Sequence, residues 1–155
     1  MQYRSKSLAD TERLGKALAQ SLLKSALPCI SLFQGPFGSG KTTLIKVLIS
    51  EIASIRQESI ASPTFQYVTL YQGKKNLSIA HFDLWRLPSP ESFYSLGLED
   101  IVDSSLSFIE WPEKLGSLCP EASLIIRINA PQEEERMFEI EDRRHLLDTC
   151  SLEFS

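Results

Sequence analysis

The stretch Gly35-Pro36-Phe37-Gly38-Ser39-Gly40-Lys41-Thr42 has the residue types and spacing of a loop that holds a phosphate chain. It satisfies G-x-x-x-x-G-K-[ST] at Gly35, Gly40, Lys41 and Thr42, with Thr43 directly behind. Glycines let successive backbone N–H groups converge on phosphate oxygens in conformations that a Cβ forbids. Lys41 supplies a mobile positive charge for the outer phosphates, and the Thr42 hydroxyl can ligate magnesium. Three of the chain's seven glycines fall within 35–40, where this chemistry needs them.

Such a loop also needs an acid at the end of a neighbouring strand, where crevice-facing groups sit in open α/β sheets. Asp83 ends the run Ile79-Ala80-His81-Phe82-Asp83, and Glu110 ends Leu106-Ser107-Phe108-Ile109-Glu110. The spacing leaves open which acid meets metal and which orients an attacking water. Thr64, in Ser62-Pro63-Thr64, occupies a segment that can report on a γ-phosphate or form an ordinary proline turn. His81 shares a strand face with Asp83 and reads first as a buried, hydrogen-bonded structural histidine. Arg86 reads as a surface ion pair, and Trp85 and Trp111 as core.

These groups require elements to position them. A capping hydroxyl at Ser7, with Asp10 three residues on, opens a helix whose apolar face carries Leu14, Ala17, Leu18 and Leu22, and Pro28 closes it. Residues 29–33 read as a buried strand, and residues 42–54 as a helix buried on most sides. Strand, glycine loop and helix thus follow in the order the chemistry demands. Residues 66–71 and 77–83 pair as an antiparallel hairpin across the polar turn 73–76. A helical segment spans 91–103 with Gly97 as an interruption, and strands follow at 106–110 and 123–128. The charged residues from about 137 onward show only weak periodicity. The pattern predicts one α/β domain over 1–155, a three-layer sandwich with a mixed parallel/antiparallel sheet.

Composition narrows the functional classes. The chain has 155 residues and a formal charge of -4, which argues against an autonomous, electrostatically driven nucleic-acid binder. Cys29, Cys119 and Cys150 lack zinc-ligand spacing and read as reduced thiols. The first residues have no apolar signal core, and no run approaches the ~18 apolar residues of a membrane span, so a soluble, cytoplasmic protein is expected. No Asn-Lys-x-Asp guanine-selecting motif occurs, which favours ATP over GTP.

Over residues 7 to 130 the chain resembles the TsaE family, small bacterial P-loop ATPases of tRNA threonylcarbamoyladenosine formation. Five blocks in order carry the resemblance: Thr11 followed by Leu14-Gly15; GPFGSGKTT at 35–43; SPTF at 62–65; HFDLWR at 81–86; and IEWPE at 109–113. Trp85 stands where the family usually has tyrosine, and Phe37 and Ser39 replace its commoner Leu and Ala. The resemblance implies ATP and Mg2+ as cofactors. It implies nucleotide contacts from Thr11 and from Gly35, Phe37, Gly38, Ser39, Gly40, Lys41, Thr42 and Thr43. It gives metal ligation to Thr42 and Glu110, a catalytic role to Asp83 beside Lys41, and switch behaviour to Thr64. It also implies TsaD and TsaB as protein partners, with tRNA contacted through them. Two rivals share the P-loop: a small-molecule kinase, although residues 87–105 supply no arginine for an acceptor lid, and a nucleotide-sensing module without catalysis.

Overall fold

Short β-branched and aromatic runs alternate with apolar helical periods, and these become the elements of the chain in a computed structural model describing residues 1–130 and 132–147. In order they are β1 (Gln2–Ser5), α1 (Leu8–Leu22), β2 (Cys29–Gln34), α2 (Lys41–Ala53), β3 (Val68–Gln72), β4 (Ser78–Asp83), α3 (Pro90–Ser95), α4 (Leu98–Asp103), β5 (Leu106–Glu110), β6 (Leu124–Asn129) and β7 (Arg136–Asp142). A run of 3-10 turns, Pro112–Leu118, links β5 to β6.

The described residues form a seven-stranded sheet in the order β1-β7-β6-β2-β5-β4-β3. Its centre, β6-β2-β5-β4, is parallel. The flanking strands β3, β7 and β1 pair antiparallel. The central strands read as nearly continuous apolar runs because both their faces are covered. On one face Phe33, Ile79, Phe108, Ile126 and Phe138 pack against Leu14 and Leu18 of α1 and Leu44, Leu48 and Ile52 of α2. On the other, Leu32, Phe82, Ile109 and Ile125 pack against Phe93, Leu98 and Val102 of α3 and α4. The result is the expected three-layer α/β sandwich with a mixed sheet. No helix among the described residues is long and apolar enough to cross a membrane.

Helix α1 starts as its sequence requires. The Ser7 hydroxyl accepts from the Asp10 backbone N–H at 3.2 Å, and the Asp10 carboxylate accepts from the Lys6 N–H at 2.8 Å. It ends at Leu22, well before Pro28. Ser25 donates both its N–H (3.1 Å) and its hydroxyl (2.7 Å) to the Leu22 carbonyl, tightening the last turn. Beyond it Leu23 and Leu27 are exposed, so no apolar face remains to bury. Gly97 splits the 91–103 segment into α3 and α4, adopting φ +68° between them.

The sequence-based reading missed β1 and β7. β1 has only four residues and β7 carries four charged residues among its seven, so both are held by pairing rather than by pattern: the Met1 amino group donates to the Ile140 carbonyl at 2.8 Å. Only Phe138 and Ile140 of β7 turn into the core. Cys29 is buried and free and Cys119 is half-buried and free, as expected; Cys150 lies outside the described residues.

Gly15 allows α1 and α2 to touch. A Cβ there would lie 2.5 Å from Val47 Cγ1 and 2.9 Å from Val47 Cβ, atoms that cannot swing away. Gly15→Ala is therefore expected to cost about 1–3 kcal/mol by overpacking, measured as denaturant midpoint. Pairing it with Val47→Ala should return part of that loss, because the nearest clashing atom, Val47 Cγ1, is removed while Cβ remains.

Candidate functional site

β2 delivers the chain into the glycine loop at the centre of the sheet. Gly35 carries φ +152°, and a Cβ there would stand 2.4 Å from the Ile128 carbonyl oxygen on β6, so the turn can pass the sheet only without a side chain. Gly40, at φ +101°, then opens α2, with Lys41, Thr42 and Thr43 in its first turn. That turn contains no acidic side chain, so the positive end of the helix dipole is left unopposed. Lys41 is buried, and its Nζ donates to the carbonyls of Gly35 (2.7 Å) and Pro36 (2.9 Å). It also lies 3.9 Å above the Trp111 ring centroid. Burial holds the Lys41 ammonium below its ordinary pKa, against the opposing pull of Glu110, Glu113 and Asp83.

The two acids stand opposite each other, because Asp83 at the end of β4 pairs in register with Glu110 at the end of β5. Both are buried, at 6% and 2% exposure, and their partners differ. Thr42 Oγ1 lies 2.8 and 2.9 Å from the two oxygens of Glu110. His81 Nε2 lies 2.9 Å from Glu110 Oε1. Asp83 instead accepts from the Thr64 hydroxyl at 2.8 Å and from the Trp85 backbone N–H at 3.1 Å. Ser62 Oγ is 3.0 Å from Thr64 Oγ1, so the SPT loop is tied to Asp83 and not to Glu110.

The donor set near Thr42 and Glu110 consists of hard oxygens on adjacent elements, the chemistry that suits magnesium. Among the described residues no group of three or more His, Cys, Asp and Glu forms a complete metal cage. An oxygen pair of this kind fits a cation that takes its remaining ligands from phosphate and water.

A cavity of about 730 Å³ joins these groups. Asp83, Glu110 and Thr64 line it from the β4 and β5 side; Phe37, Gly38, Gly40, Lys41, Thr42 and Thr43 line it from the loop and α2; and Thr11 lines it beside Ser5 of β1, the strand at the opposite edge of the sheet. Of the sequence-predicted residues, Gly35 and Ser39 lie off the cavity wall, and the Ser39 hydroxyl is buried without a hydrogen-bond partner. Thr11 is buried on α1, with its hydroxyl 2.9 Å from Ser5 Oγ. Trp111 packs partly buried against the core under α3 and α4, as expected, whereas Trp85 is exposed. With Phe37, 65% exposed, they form a three-ring cluster over the loop, with centroids 4.3 to 4.6 Å apart. Arg86 is not ion-paired among the described residues but stacks on the Phe65 ring at 4.6 Å.

Arg136 was missed because it sits on β7, whose pattern is weak. It lines the cavity and donates to the Gly38 carbonyl at 3.3 Å and to the carbonyls of Gln132, Glu133 and Glu135. The buried Phe138 and Ile140, two apart after it, were the available signal. The cavity thus carries a cation and a helix N-terminus on its loop and α2 side and two carboxylates on its β4 and β5 side, an arrangement able to hold a polyphosphate with a divalent cation.

Comparison with known proteins places this arrangement. The solved structure of Bacillus subtilis YdiB superposes with a TM-score of 0.69 over 92% of this chain and 84% of that one, at 20% identity, and so shares the fold. The tRNA threonylcarbamoyladenosine biosynthesis protein TsaE of Rickettsia conorii is 35% identical over 131 residues, covering 84% of this chain and 72% of its own. The protein of the same name from Haemophilus influenzae is 35% identical over 120 residues, covering 76% and 74%, and that from Treponema pallidum is 33% identical over 125, covering 80% and 87%. The family model described as Threonylcarbamoyl adenosine biosynthesis protein TsaE matches residues 5–138, and this chain is therefore a member of the TsaE family.

Proposed function

We propose that this chain binds ATP with Mg2+ and hydrolyses it as the energy-coupling subunit of the cytoplasmic machinery that forms the threonylcarbamoyl group on tRNA adenosine. TsaD and TsaB are its partners, and tRNA is engaged through them. The observation that carries the ATPase reading is the parallel register of β4 and β5, which sets Asp83 beside Glu110, across from Thr42 and Lys41. Family membership supports the place in tRNA modification.

In this reading the backbone N–H groups of residues 38–43 and the N-terminus of α2 hold the phosphates. Lys41 gives up its two carbonyl partners and turns its ammonium to the outer phosphates. Thr42 and Glu110 hold Mg2+, which would neutralise charge on the phosphate oxygens when bound. Asp83 accepts the proton of the attacking water or fixes its orientation. Thr64 links Asp83 to a loop that can sense the γ-phosphate. Thr11 lines the same cavity and would contact the nucleotide. No arginine along the cavity is free to stabilise transition-state charge among the described residues, since Arg136 is spent on four carbonyls. Hydrolysis by the isolated chain is therefore slow, and steady turnover needs the partners.

Two substitutions separate binding from chemistry. Lys41→Ala should weaken ATP binding by about 100-fold or more, measured by calorimetry. Asp83→Asn should keep ATP affinity while lowering turnover about 10²–10⁴-fold in the assembly with TsaD and TsaB, and tRNA modification should fall with it. Transfer of phosphate to a small hydroxylated acceptor would overturn this reading in favour of a kinase.

The lysine also predicts a stability effect. Its folded-state pKa lies below the unfolded value, so in the alkaline window between them the unfolded chain holds more protons and stability rises with pH. Below that window the buried charge is a constant cost. Lys41→Met should therefore raise the thermal midpoint of the nucleotide-free chain at neutral pH, by roughly 2–4 °C per kcal/mol relieved.

A further inference from the structure

His81 is fully buried on β4, two residues before Asp83 and on the same sheet face. Its register partner on β5 is the apolar Phe108, with Ile79 below it on β4, while Thr69 on β3 and the buried Ser31 on β2 are the polar residues of the same row, and neither is hydrogen-bonded to the ring. A polar ring here costs free energy that Phe or Leu would not, unless its hydrogen bond is needed. Nδ1 is buried with no partner, whereas Nε2 lies 2.9 Å from Glu110 Oε1. A buried N–H without an acceptor costs more than a lone pair without a donor, so the tautomer that fits carries its proton on Nε2 and donates it to Glu110.

Glu110 is thus approached from two sides. Thr42 reaches both its oxygens from the cavity, and His81 reaches Oε1 from the core. The terminal torsion of a glutamate is soft, so a carboxylate held only by Thr42 can swing when that hydroxyl turns its lone pair to a cation. The bond to His81 does not depend on the cation and pins Oε1 throughout.

We infer that His81 is a positioning residue for the metal half of the site: its Nε2–H fixes the Glu110 carboxylate so that the oxygen pair of Glu110 and Thr42 is preorganised for a divalent cation. The inference rests on the Mg2+–ATP reading above. It differs from a purely structural pairing of β4 with β5 in one respect. A structural role affects fold and nucleotide binding alike, whereas a positioning role affects the metal selectively, as outer-shell partners of metal ligands do.

The test uses Mn2+ as a paramagnetic probe, titrated by electron paramagnetic resonance into the full chain with a non-hydrolysable ATP analogue. Analogue binding is measured separately in EDTA. His81→Leu should weaken Mn2+ binding about 10–100-fold while analogue affinity in EDTA stays within about threefold. His81→Gln, whose amide N–H reaches as far as Nε2, should restore Mn2+ affinity to within about threefold of wild type, and the shorter His81→Asn should not. If the Leu variant does not fold, the Gln and Asn pair decides the matter. Equal Mn2+ affinity in Gln and Asn, an unchanged affinity in a folded Leu variant, or equal losses with and without metal would each overturn the inference. If wild type binds the analogue but no Mn2+, the metal reading itself falls and takes this inference with it.

Discussion

The parallel register of β2, β5 and β4 is the constraint on which the site depends. It sets Phe33 opposite Glu110 and Glu110 opposite Asp83, so that the glycine loop, one carboxylate and then the other leave the same edge of the sheet side by side. Residues 33, 83 and 110 are far apart in the chain and share no local signal. A one-residue slip in either pairing would turn a carboxylate to the opposite face, among Leu32, Phe82 and Ile109. The apolar groups on both faces therefore hold the chemistry in place as much as they hold the fold: Leu, Ile and Phe side chains contribute about 1.5–3 kcal/mol each when fully buried, and they fit in one register only.

The same arrangement makes the site costly. Lys41, Asp83 and Glu110 are all nearly inaccessible to water, and each is compensated by neighbours. Lys41 leans on two carbonyls and a tryptophan face, Asp83 on Thr64 and a backbone N–H, Glu110 on Thr42 and His81. These partners satisfy the charges within the protein. On the proposed reading, a nucleotide and its cation would recruit Lys41 and Thr42, so binding would exchange internal hydrogen bonds for bonds to ligand, with the fold supplying most of the geometry beforehand. The SPT loop, joined to Asp83 through a single hydroxyl, is the part of the site most easily re-set by what fills the cavity.

Much of this was legible in the sequence, for particular reasons. The loop could be read because phosphate chemistry dictates glycine, lysine and threonine at fixed local spacing. The central strands and α2 could be read because burial on both sides leaves long apolar runs. The hairpin of β3 and β4 followed from its polar turn. Other features are tertiary. The division of partners between Glu110 and Asp83 depends on which side of β5 faces α2, and spacing holds no record of that. Thr11 entered through family resemblance, since nothing local distinguishes it from any threonine in a first helical turn. Arg136 and the strand that bears it were passed over because Phe138 and Ile140 alone mark the alternation of β7, and its pairing with β1 and β6 is long-range. Trp85 was misjudged because large aromatics default to core, whereas it is exposed and packs with Phe37 and Trp111 over the loop.

The central claim is that Glu110, presented by the β5 register to Thr42, makes nucleotide binding metal-dependent. Calorimetric titration of ATP into wild type and Glu110→Gln, each with Mg2+ and with EDTA, tests it most directly. The account predicts that Mg2+ strengthens ATP binding to wild type by about tenfold or more, and that this gain falls below about threefold in Glu110→Gln while affinity in EDTA is unchanged. A Glu110→Gln protein that keeps the full Mg2+ enhancement would contradict it.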